Sequence, residues 1–441
     1  MISPETATAS PAPATPSAAR ALRFAQVVGR FASVQMVVQL VGFASGILLV
    51  RTMNQREYGL FTIANTMQGT LNVLADIGIS IGMVSIGGRV WQDGHRFGEL
   101  VSTGLRLRRT LGAFSILAIT PLLYFMLTKN GASLSYTLLL IGAVLAGLFA
   151  QLSLGILEVV PRLRSDVRQI QIIDFSGSIA RLIVLVALTF VFLNAGVAAL
   201  VGAGTLFFQY LLMRRYAAGV IDLHASENTD DRKAMLGFIR NQAPNAIFFC
   251  LQGQITILLI SFFARSAGAV AEVGALGRLA MIFTILGSLM ANIFAPAFAR
   301  CQEKKRLGLL YAGIVGGVIA FGLCVIAGAY FLPKEFLFIL GNRYSHLQYE
   351  LLLMVGGATL NMIASTLWAL NASRAWITGS WLYIPLTLVT QLALIPFVDF
   401  STVSGVLIFN LVSAIPSLLL NIGLSFHGFR FQEEARAHVA A

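Results

Sequence analysis

The residues of this chain that could do chemistry are a few ionisable and amide side chains inside long apolar runs. Arg181 lies deep in one such run, and Asp174, seven residues earlier, falls on the same helical face. A second carboxylate, Asp76, precedes Gly78 inside another apolar run. Because an ionisable group inside a membrane is energetically costly, each of these residues is a candidate for ligand binding or ion coupling.

Each of these candidates also has a structural interpretation. Arg181 and Asp174 could neutralise one another, directly or through a neighbouring helix, or they could bind a substrate and couple to protons. Asp76 could couple to protons or sodium, or it could cap a local break in its helix. The sequence leaves both questions open.

Four glutamines form the second group of candidates. Gln35 and Gln39 are one helical turn apart and share a face, and Gln252 and Gln254 stand on a later apolar run. An amide both donates and accepts hydrogen bonds, which suits the hydroxyl groups of sugars. Amides also join neighbouring membrane helices, so interhelical bonding is the alternative interpretation.

Other chemistries find little support in the sequence. The 5 histidines fall in predicted loops or termini, the 3 cysteines lack metal-ligand spacing, and no glycine-rich phosphate-binding loop is present. We therefore expect no enzyme, no metal and no cofactor, and any ion coupling would use a proton or sodium gradient. The net charge of +12 does not indicate nucleic-acid binding, because the basic residues stand at helix ends instead of forming one cluster.

The elements that must position these residues are membrane-spanning helices. The chain of 441 residues is 57% hydrophobic and 11% charged, with a mean hydropathy of +0.80, and one soluble core could not bury that much apolar surface. A bilayer core takes about 20 apolar residues per helix. Runs of that length recur between short polar breaks and predict an all-α polytopic protein with about twelve spans, centred near Gln39, Val73, Ile119, Leu145, Leu185, Thr205, Ile255, Leu286, Val318, Leu360, Leu392 and Val412.

The charge pattern predicts the orientation of these spans. Most of the 31 lysines and arginines fall in one alternating set of predicted loops. By the positive-inside rule that set is cytoplasmic, and so are both termini. The predicted organisation is a disordered tail over 1–22, an N-lobe over 23–213, a cytoplasmic connector over 214–241, a C-lobe over 242–427 and a cytoplasmic tail over 428–441.

A weak internal repeat relates the two predicted lobes. Glu57-Tyr58-Gly59 follows the first predicted span, and Glu272-Val273-Gly274 follows the seventh span 215 positions later. The same offset places Gln39 on Gln254. With six spans per lobe the repeats would be parallel, about an axis along the membrane normal. We expect the ligand site in the cleft between the lobes, with these two glutamines on opposite walls.

The run LLVRTMNQREYGLF at positions 48–61, followed by LADIGI at 74–79, resembles the opening of the polysaccharide flippases for O-antigen and exopolysaccharide. These belong to the multidrug, oligosaccharidyl-lipid and polysaccharide exporter (MOP) superfamily. The resemblance implies a V-shaped pair of six-helix lobes that opens a central cavity alternately to either side of the bacterial inner membrane. It implies an undecaprenyl-diphosphate-linked oligosaccharide as cargo, and a polysaccharide polymerase and export machinery as partners.

A second stretch bears on the identity of the cargo. GALGRL at 274–279 is similar to a segment of the lipid II flippases in which an arginine followed by leucine faces the cavity, and this similarity assigns that role to Arg278. The first helix of those flippases has arginines at positions that fall here on Gln39 and Ser45. This departure favours a different glycan.

Three alternatives remain at the level of sequence. A drug or cation antiporter of the same superfamily would need acidic residues for a cationic cargo. A membrane glycan polymerase or ligase usually carries a large periplasmic loop. A membrane scaffold that transports nothing would tolerate the loss of Arg278.

Overall fold

The computed structural model describes residues 36–164, 166–190, 192–264, 267–290, 294–301, 303–374, 376–377 and 379–432. The predicted tail over 1–22, the candidate Gln35 and the end of the C-terminal tail lie outside these ranges. The architecture is all-α, as the sequence predicts.

Eight helices form the N-terminal half. They are α1 Met36–Thr52, α2 Gln55–Asp76, α3 Ile79–Val90, α4 Gly94–Lys129, α5 Leu134–Leu157, α6 Val159–Leu163, α7 Val167–Thr189 and α8 Ala195–Ala218. Asparagine, aspartate or serine caps several of them, as when the Asn54 side chain accepts from the Glu57 backbone N–H at the start of α2.

The remaining helices form the C-terminal half. They are α9 Thr229–Phe263, α10 Ala267–Leu279, α11 Ile282–Leu289, α12 Ala295–Arg300, α13 Lys304–Phe331, α14 Pro333–Leu340, α15 Gln348–Ser373, α16 Tyr383–Leu394, α17 Val403–Ser413 and α18 Ile415–His427. Short 3-10 helices precede α15, precede α16 and follow α16.

The described helices come close to the predicted number of spans. In the described part of the chain, 10 helical segments are long and apolar enough to cross a membrane, and α1 is a shorter apolar helix. The predicted span near Val73 falls on α2 and α3, and the helix is interrupted between them at Ile77 and Gly78. Gly78 has a φ of 72°, where glycine avoids the strain of a side chain, and the Phe238 carbonyl approaches it closely. The predicted helix break next to Asp76 is therefore present.

The molecule has an outer end and an inner end. The outer end carries the α1–α2 turn at 53–54, and the inner end carries the segment 219–228 between α8 and α9. By the charge pattern these are the predicted periplasmic and cytoplasmic ends.

The two halves share one core toward the outer end. The larger buried cluster joins Leu49 and Ile63 of the N-terminal half to Leu276, Leu351 and Val406 of the C-terminal half. The closest approach is between α2 and α10, where the repeated glycines lie. A Cβ on Gly59 would meet the Ala267 carbonyl oxygen at 2.2 Å, and a Cβ on Gly274 would meet Thr62 Oγ1 at 2.6 Å.

A smaller cluster occupies the inner end of the N-terminal half, where Ile79, Phe97 and Met213 pack with Met235 of α9. Polar contacts fix the same region, because Arg96 donates to both oxygens of the buried Asp231 carboxylate at 2.6 and 2.8 Å. The polar stretch 214–241 is thus mostly helical, with α8 continuing to Ala218 and α9 beginning at Thr229.

The loop between those helices is bound to α4. Asp222 accepts from the His224 backbone N–H at 2.9 Å, and its carboxylate lies 3.0 Å from the His95 ring. These contacts hold the pKa of Asp222 below its usual range. The described loop therefore follows the surface of the N-terminal half.

Candidate functional site

Arg181 lines a cavity of about 320 Å³ in the N-terminal half. The cavity lies between α2, α5, α7 and α8, and the amides of Asn65, Gln68, Gln151 and Gln209 share its walls. The Arg181 Nε is buried and has no hydrogen-bond partner among the described residues. The site thus combines one guanidinium with several groups that both donate and accept hydrogen bonds.

Two glycines make room for the amides in this cavity. A Cβ on Gly177 would lie 2.3 Å from the Gln209 Nε2, and a Cβ on Gly147 would lie 2.9 Å from the Gln68 Nε2. A side chain at either position would displace the amide that lies against it. Gln68 Nε2 also donates to the Gln151 Oε1 at 3.3 Å, so these two amides hold each other in place.

Arg278 extends from α10 toward the N-terminal half. Its Nε donates to the Tyr58 hydroxyl at 3.3 Å, and its Nη1 lies 3.9 Å from the Met281 sulfur. A Cβ on Gly46 of α1 would lie 3.1 Å from the Arg278 Cδ, so the stem of the arginine passes close to the α1 backbone. None of these contacts supplies a negative charge.

Arg181 and Arg278 come from opposite halves and repel one another electrostatically. No carboxylate lies within ion-pair distance of either guanidinium in the described part of the chain. The two arginine candidates thus lie near enough for the charge of Arg278 to act on Arg181, and neither has an ion-pair partner among the described residues.

Asp174 does not pair with Arg181 in the described structure. Seven residues along a helix amount to roughly 10 Å, which is beyond salt-bridge distance. The charges that act on Asp174 are those of Arg162 and Glu158, toward the inner end. The direct form of mutual neutralisation is absent, and coupling through Asp174 stays a prediction.

Asp76 takes part in a charge cluster at the break between α2 and α3. Its Oδ1 accepts from the Ser80 hydroxyl at 2.7 Å and lies 3.6 Å from the Arg108 Nη2. Arg108 is buried, and it also donates to the Asn72 Oδ1 at 3.2 Å. Among the described contacts Asp76 has a structural partner in Arg108 but no capping hydrogen bond from a backbone N–H, so its capping role and its role in ion coupling both stay predictions.

The glutamine candidates have different surroundings. Gln39 donates to Ser288 at 3.0 Å and accepts from Thr284 at 3.1 Å, both on α11. Gln252 and Gln391 exchange two amide hydrogen bonds of 2.9 and 2.7 Å between α9 and α16. Gln254 faces Gly69 of α2, where a Cβ would lie 3.8 Å from its Nε2. Two of the amides thus join helices, as the alternative interpretation describes.

A set of residues that the sequence pattern did not single out holds the halves together at the outer end, and these residues form the outer seam. Gln55 donates to Glu272 at 3.0 Å, Arg343 donates to the Met53 carbonyl at 2.7 Å, and Tyr58 donates to the Gly274 carbonyl at 3.3 Å. The repeat placed Glu57 and Glu272 in equivalent positions, and that signal could have identified the seam.

The two repeated glutamates have different partners. Glu57 accepts from the Tyr136 hydroxyl and from the Ala195 backbone N–H, so it joins α2 to α5 and to the start of α8. Glu272 accepts from Gln55 and lies 3.3 Å from the His346 ring. The first glutamate is therefore partnered within its own half, and the second is partnered both across the seam and within its own half.

No group of three or more metal-ligating side chains occurs in the described ranges. The three cysteines are free thiols, and Cys250 is buried.

No family model and no curated protein matches this chain. Solved structures do. An inward-facing multidrug-resistance MATE transporter of the MOP superfamily superposes with a TM-score of 0.62 at 15% identity, covering 93% of this chain and 100% of that one. The lipid II flippase MurJ, in an inward closed conformation, superposes with a TM-score of 0.68 at 12% identity, covering 89% and 86% of the two chains. This chain has the fold that these MATE and MurJ structures share.

A third solved structure is also similar to this chain. It is a MOP superfamily transporter from Pyrococcus furiosus whose reversed pocket polarity suggests a different function, and it superposes with a TM-score of 0.58 at 15% identity. It covers 91% of this chain and 95% of that one. The polytopic all-α architecture that the sequence predicts is confirmed by these likenesses.

Proposed function

We propose that this protein is a MOP superfamily transporter that moves an undecaprenyl-diphosphate-linked oligosaccharide from the cytoplasmic to the periplasmic leaflet of a bacterial inner membrane. The observation that carries the proposal is the unneutralised pair of Arg181 and Arg278 in a fold shared with MATE transporters and MurJ. Transport would proceed by alternating access, for the synthesis of a capsule, an exopolysaccharide or an O-antigen.

The charge of the site supports an anionic cargo. Two guanidinium groups that repel each other raise the energy of the protein without cargo, and a diphosphate that contacts both would relieve that repulsion. The guanidinium fork also matches phosphate oxygens in a bidentate geometry. A cationic drug would add to the repulsion, which disfavours the drug or cation antiporter as the second candidate.

The amides of the cavity support a sugar as part of the cargo. Asn65, Gln68, Gln151 and Gln209 offer donors and acceptors beside the guanidinium of Arg181. Sugar hydroxyls both donate and accept, so they complement amides better than they complement a guanidinium. The isoprenoid chain would stay in the bilayer, so its apolar surface would not be exposed to water during transport.

The outer seam supports alternating access with this conformation closed at the outer end. Hydrogen bonds between the halves extend from the outer end inward to Gln39, and at the inner end Arg96 of α4 also donates to Asp231 of α9. Release of cargo at that end would require the bonds between Gln55 and Glu272 and between Arg343 and Met53 to break. A proton or sodium gradient would drive the cycle, with Asp174 and Asp76 as the candidate coupling residues.

The test is transport of a fluorescent undecaprenyl-diphosphate oligosaccharide in proteoliposomes that contain the purified protein. Loss of labelled lipid from the outer leaflet is measured with an impermeant quencher. We compare the wild type with Arg181→Gln/Arg278→Gln, and with Arg89→Gln as a control at the exposed end of α3.

The wild type and the control should move the lipid at similar rates, and the double variant should move it at least tenfold more slowly. An ethidium-type cation that is transported while the lipid is not would favour the antiporter instead. Equal rates of lipid movement in all three proteins would refute the role of the arginine pair.

A further inference from the structure

A second basic pocket lies on the N-terminal half at the inner end. It has a volume of about 540 Å³ and is formed by α4, α5, α8 and the loop 223–227. Arg106 and Arg109 of α4 and Arg214 of α8 contribute three guanidinium groups. No residue lines both this pocket and the cavity of Arg181.

The charge of this pocket is only partly neutralised. Arg106 donates to Glu227 at 2.7 Å, and this is its ion pair. Arg109 and Arg214 have no carboxylate within 4 Å in the described ranges. One acidic and three basic side chains therefore leave a net positive pocket at the membrane boundary that the charge pattern predicts to be cytoplasmic.

A buried hydroxyl adds an unsatisfied donor to the same pocket. Ser153 of α5 lines it, and the Ser153 Oγ is buried without a hydrogen-bond partner among the described residues. A buried hydroxyl without a partner is unfavourable, so an acceptor oxygen in the pocket would stabilise it. Tyr210 also lines the pocket.

Exposed aromatic residues continue from the pocket into the apolar part of the helices. Phe149 lies one turn before Ser153, with 51% of its surface exposed, and the Arg109 guanidinium stands 5.7 Å above its ring. Phe207 lies one turn before Tyr210 and is 47% exposed. A ligand that fits both regions has an anionic head and an apolar tail.

We propose that this pocket binds the headgroup of an anionic phospholipid from the surrounding leaflet, with an acyl chain along Phe149 and Phe207. Basic pockets between membrane helices at the cytoplasmic boundary suit such headgroups. The phosphodiester oxygens accept from Arg109, Arg214 and Ser153. The bound lipid holds the loop 223–227 against α4 and α8, and so stabilises the connection between the two halves without entering the transport cavity.

The test measures phospholipid binding to the purified full-length protein. Native mass spectrometry counts phosphatidylglycerol and phosphatidylcholine retained from mixed micelles, and melting temperatures are recorded with each lipid and with inorganic phosphate at equal ionic strength. The variants are Arg109→Gln/Arg214→Gln and Arg109→Lys/Arg214→Lys. The control is Arg215→Gln, an exposed neighbour of Arg214 that does not line the pocket.

The wild type and the Arg215→Gln control should retain phosphatidylglycerol in preference to phosphatidylcholine and should melt at a higher temperature with it. The glutamine double variant should retain about tenfold less, and the lysine variant should be intermediate because it keeps charge without the fork. Equal melting temperatures without lipid would show that the variants are folded.

Three results would overturn the proposal. They are equal retention by the wild type and the glutamine double variant, equal retention of the two lipids by the wild type, and stabilisation by inorganic phosphate as large as that by phosphatidylglycerol. None of these results bears on the Arg181 and Arg278 site, which the proteoliposome assay tests separately.

Discussion

Gln39 and Gln254 contact positions of the opposite half that are related by the same offset as the glutamines themselves. Gln39 bonds to Thr284 of α11, and Gln254 faces Gly69 of α2. Positions 39 and 254 are 215 apart, and so are 69 and 284. The weak repeat in the sequence thus corresponds to a pair of equivalent contacts across the two halves, one with hydrogen bonds and one without.

This asymmetry predicts different effects for the two glutamines. Gln39→Leu loses two hydrogen bonds of about 1 kcal/mol each, so it should lower the melting temperature and reduce export of all glycans alike. Gln254→Leu should leave the melting temperature unchanged and should alter export by roughly fivefold, to different extents for different glycans. Complementation of flippase-deficient strains that make two different glycans, with protein levels measured, separates these outcomes. Equal losses for both glycans in Gln254→Leu would end its assignment as a sugar contact.

The guanidinium of Arg278 should be required for export. Arg278→Ala removes the charge that we assign to the diphosphate, so polymer production should fall at least tenfold at a normal protein level. Arg278→Lys should restore part of the activity, because lysine keeps the charge without the planar fork. The measurement is surface polymer per unit of membrane protein. Normal production by the alanine variant would remove Arg278 from the mechanism.

The ion pair of Asp76 and Arg108 should contribute mainly to stability. Asp76→Asn leaves the buried Arg108 without its counterion, so we expect a loss of about 3 kcal/mol in the free energy of unfolding. The double variant Asp76→Asn/Arg108→Gln should lose less free energy of unfolding than the two single variants lose together. A double-mutant cycle on the protein in detergent measures this difference. A stable Asp76→Asn protein that transports without responding to a proton or sodium gradient would instead identify Asp76 as the coupling residue.

The close approach of α2 and α10 should make the outer seam sensitive to one methyl group. Gly59→Ala places a Cβ against the Ala267 carbonyl, and such overpacking costs about 1–3 kcal/mol, more than the better helix propensity of alanine returns. Its melting temperature should fall. Gly42→Ala in α1 is the matched control, because a Cβ there meets nothing within 4 Å and should leave stability unchanged or slightly raised. Equal melting temperatures in both variants would show that the seam tolerates separation.

Orientation in the membrane can be tested at two exposed loop positions. In a protein whose Cys250, Cys301 and Cys324 are replaced by serine, Ser345→Cys should react with an impermeant maleimide in intact spheroplasts. Ser226→Cys should react only after the cells are opened, because the loop 219–228 is predicted to be cytoplasmic. The reverse pattern would invert the predicted topology and with it the direction of transport.

The sequence predicts the spans and the repeat because apolar length and loop charge are local properties, and they determine how each segment inserts into the bilayer. It also identifies Arg181 and Arg278 as unusual, since an arginine in an apolar run is costly wherever it lies. Their approach to each other depends on how α7 and α10 pack, and no local pattern encodes that. The same holds for Glu57, whose partners Tyr136 and Ala195 lie 79 and 138 residues away. The Gln252 and Gln391 pair is another example, because the sequence around either amide is equally consistent with a ligand contact and with a hydrogen bond between helices.

The unequal partners of Glu57 and Glu272 have a consequence for biosynthesis. Tyr136 and the start of α8 are both made before α10, so the first glutamate can form its hydrogen bonds while the ribosome is still completing the N-terminal half. The face of α2 around Gly59 has no such early partner. At about 5–20 residues per second, the 215 residues between the repeats take on the order of 10–40 s to synthesise. Throughout that interval this face lies against lipid or a membrane insertase, so a mutation there should act first on the yield of inserted protein.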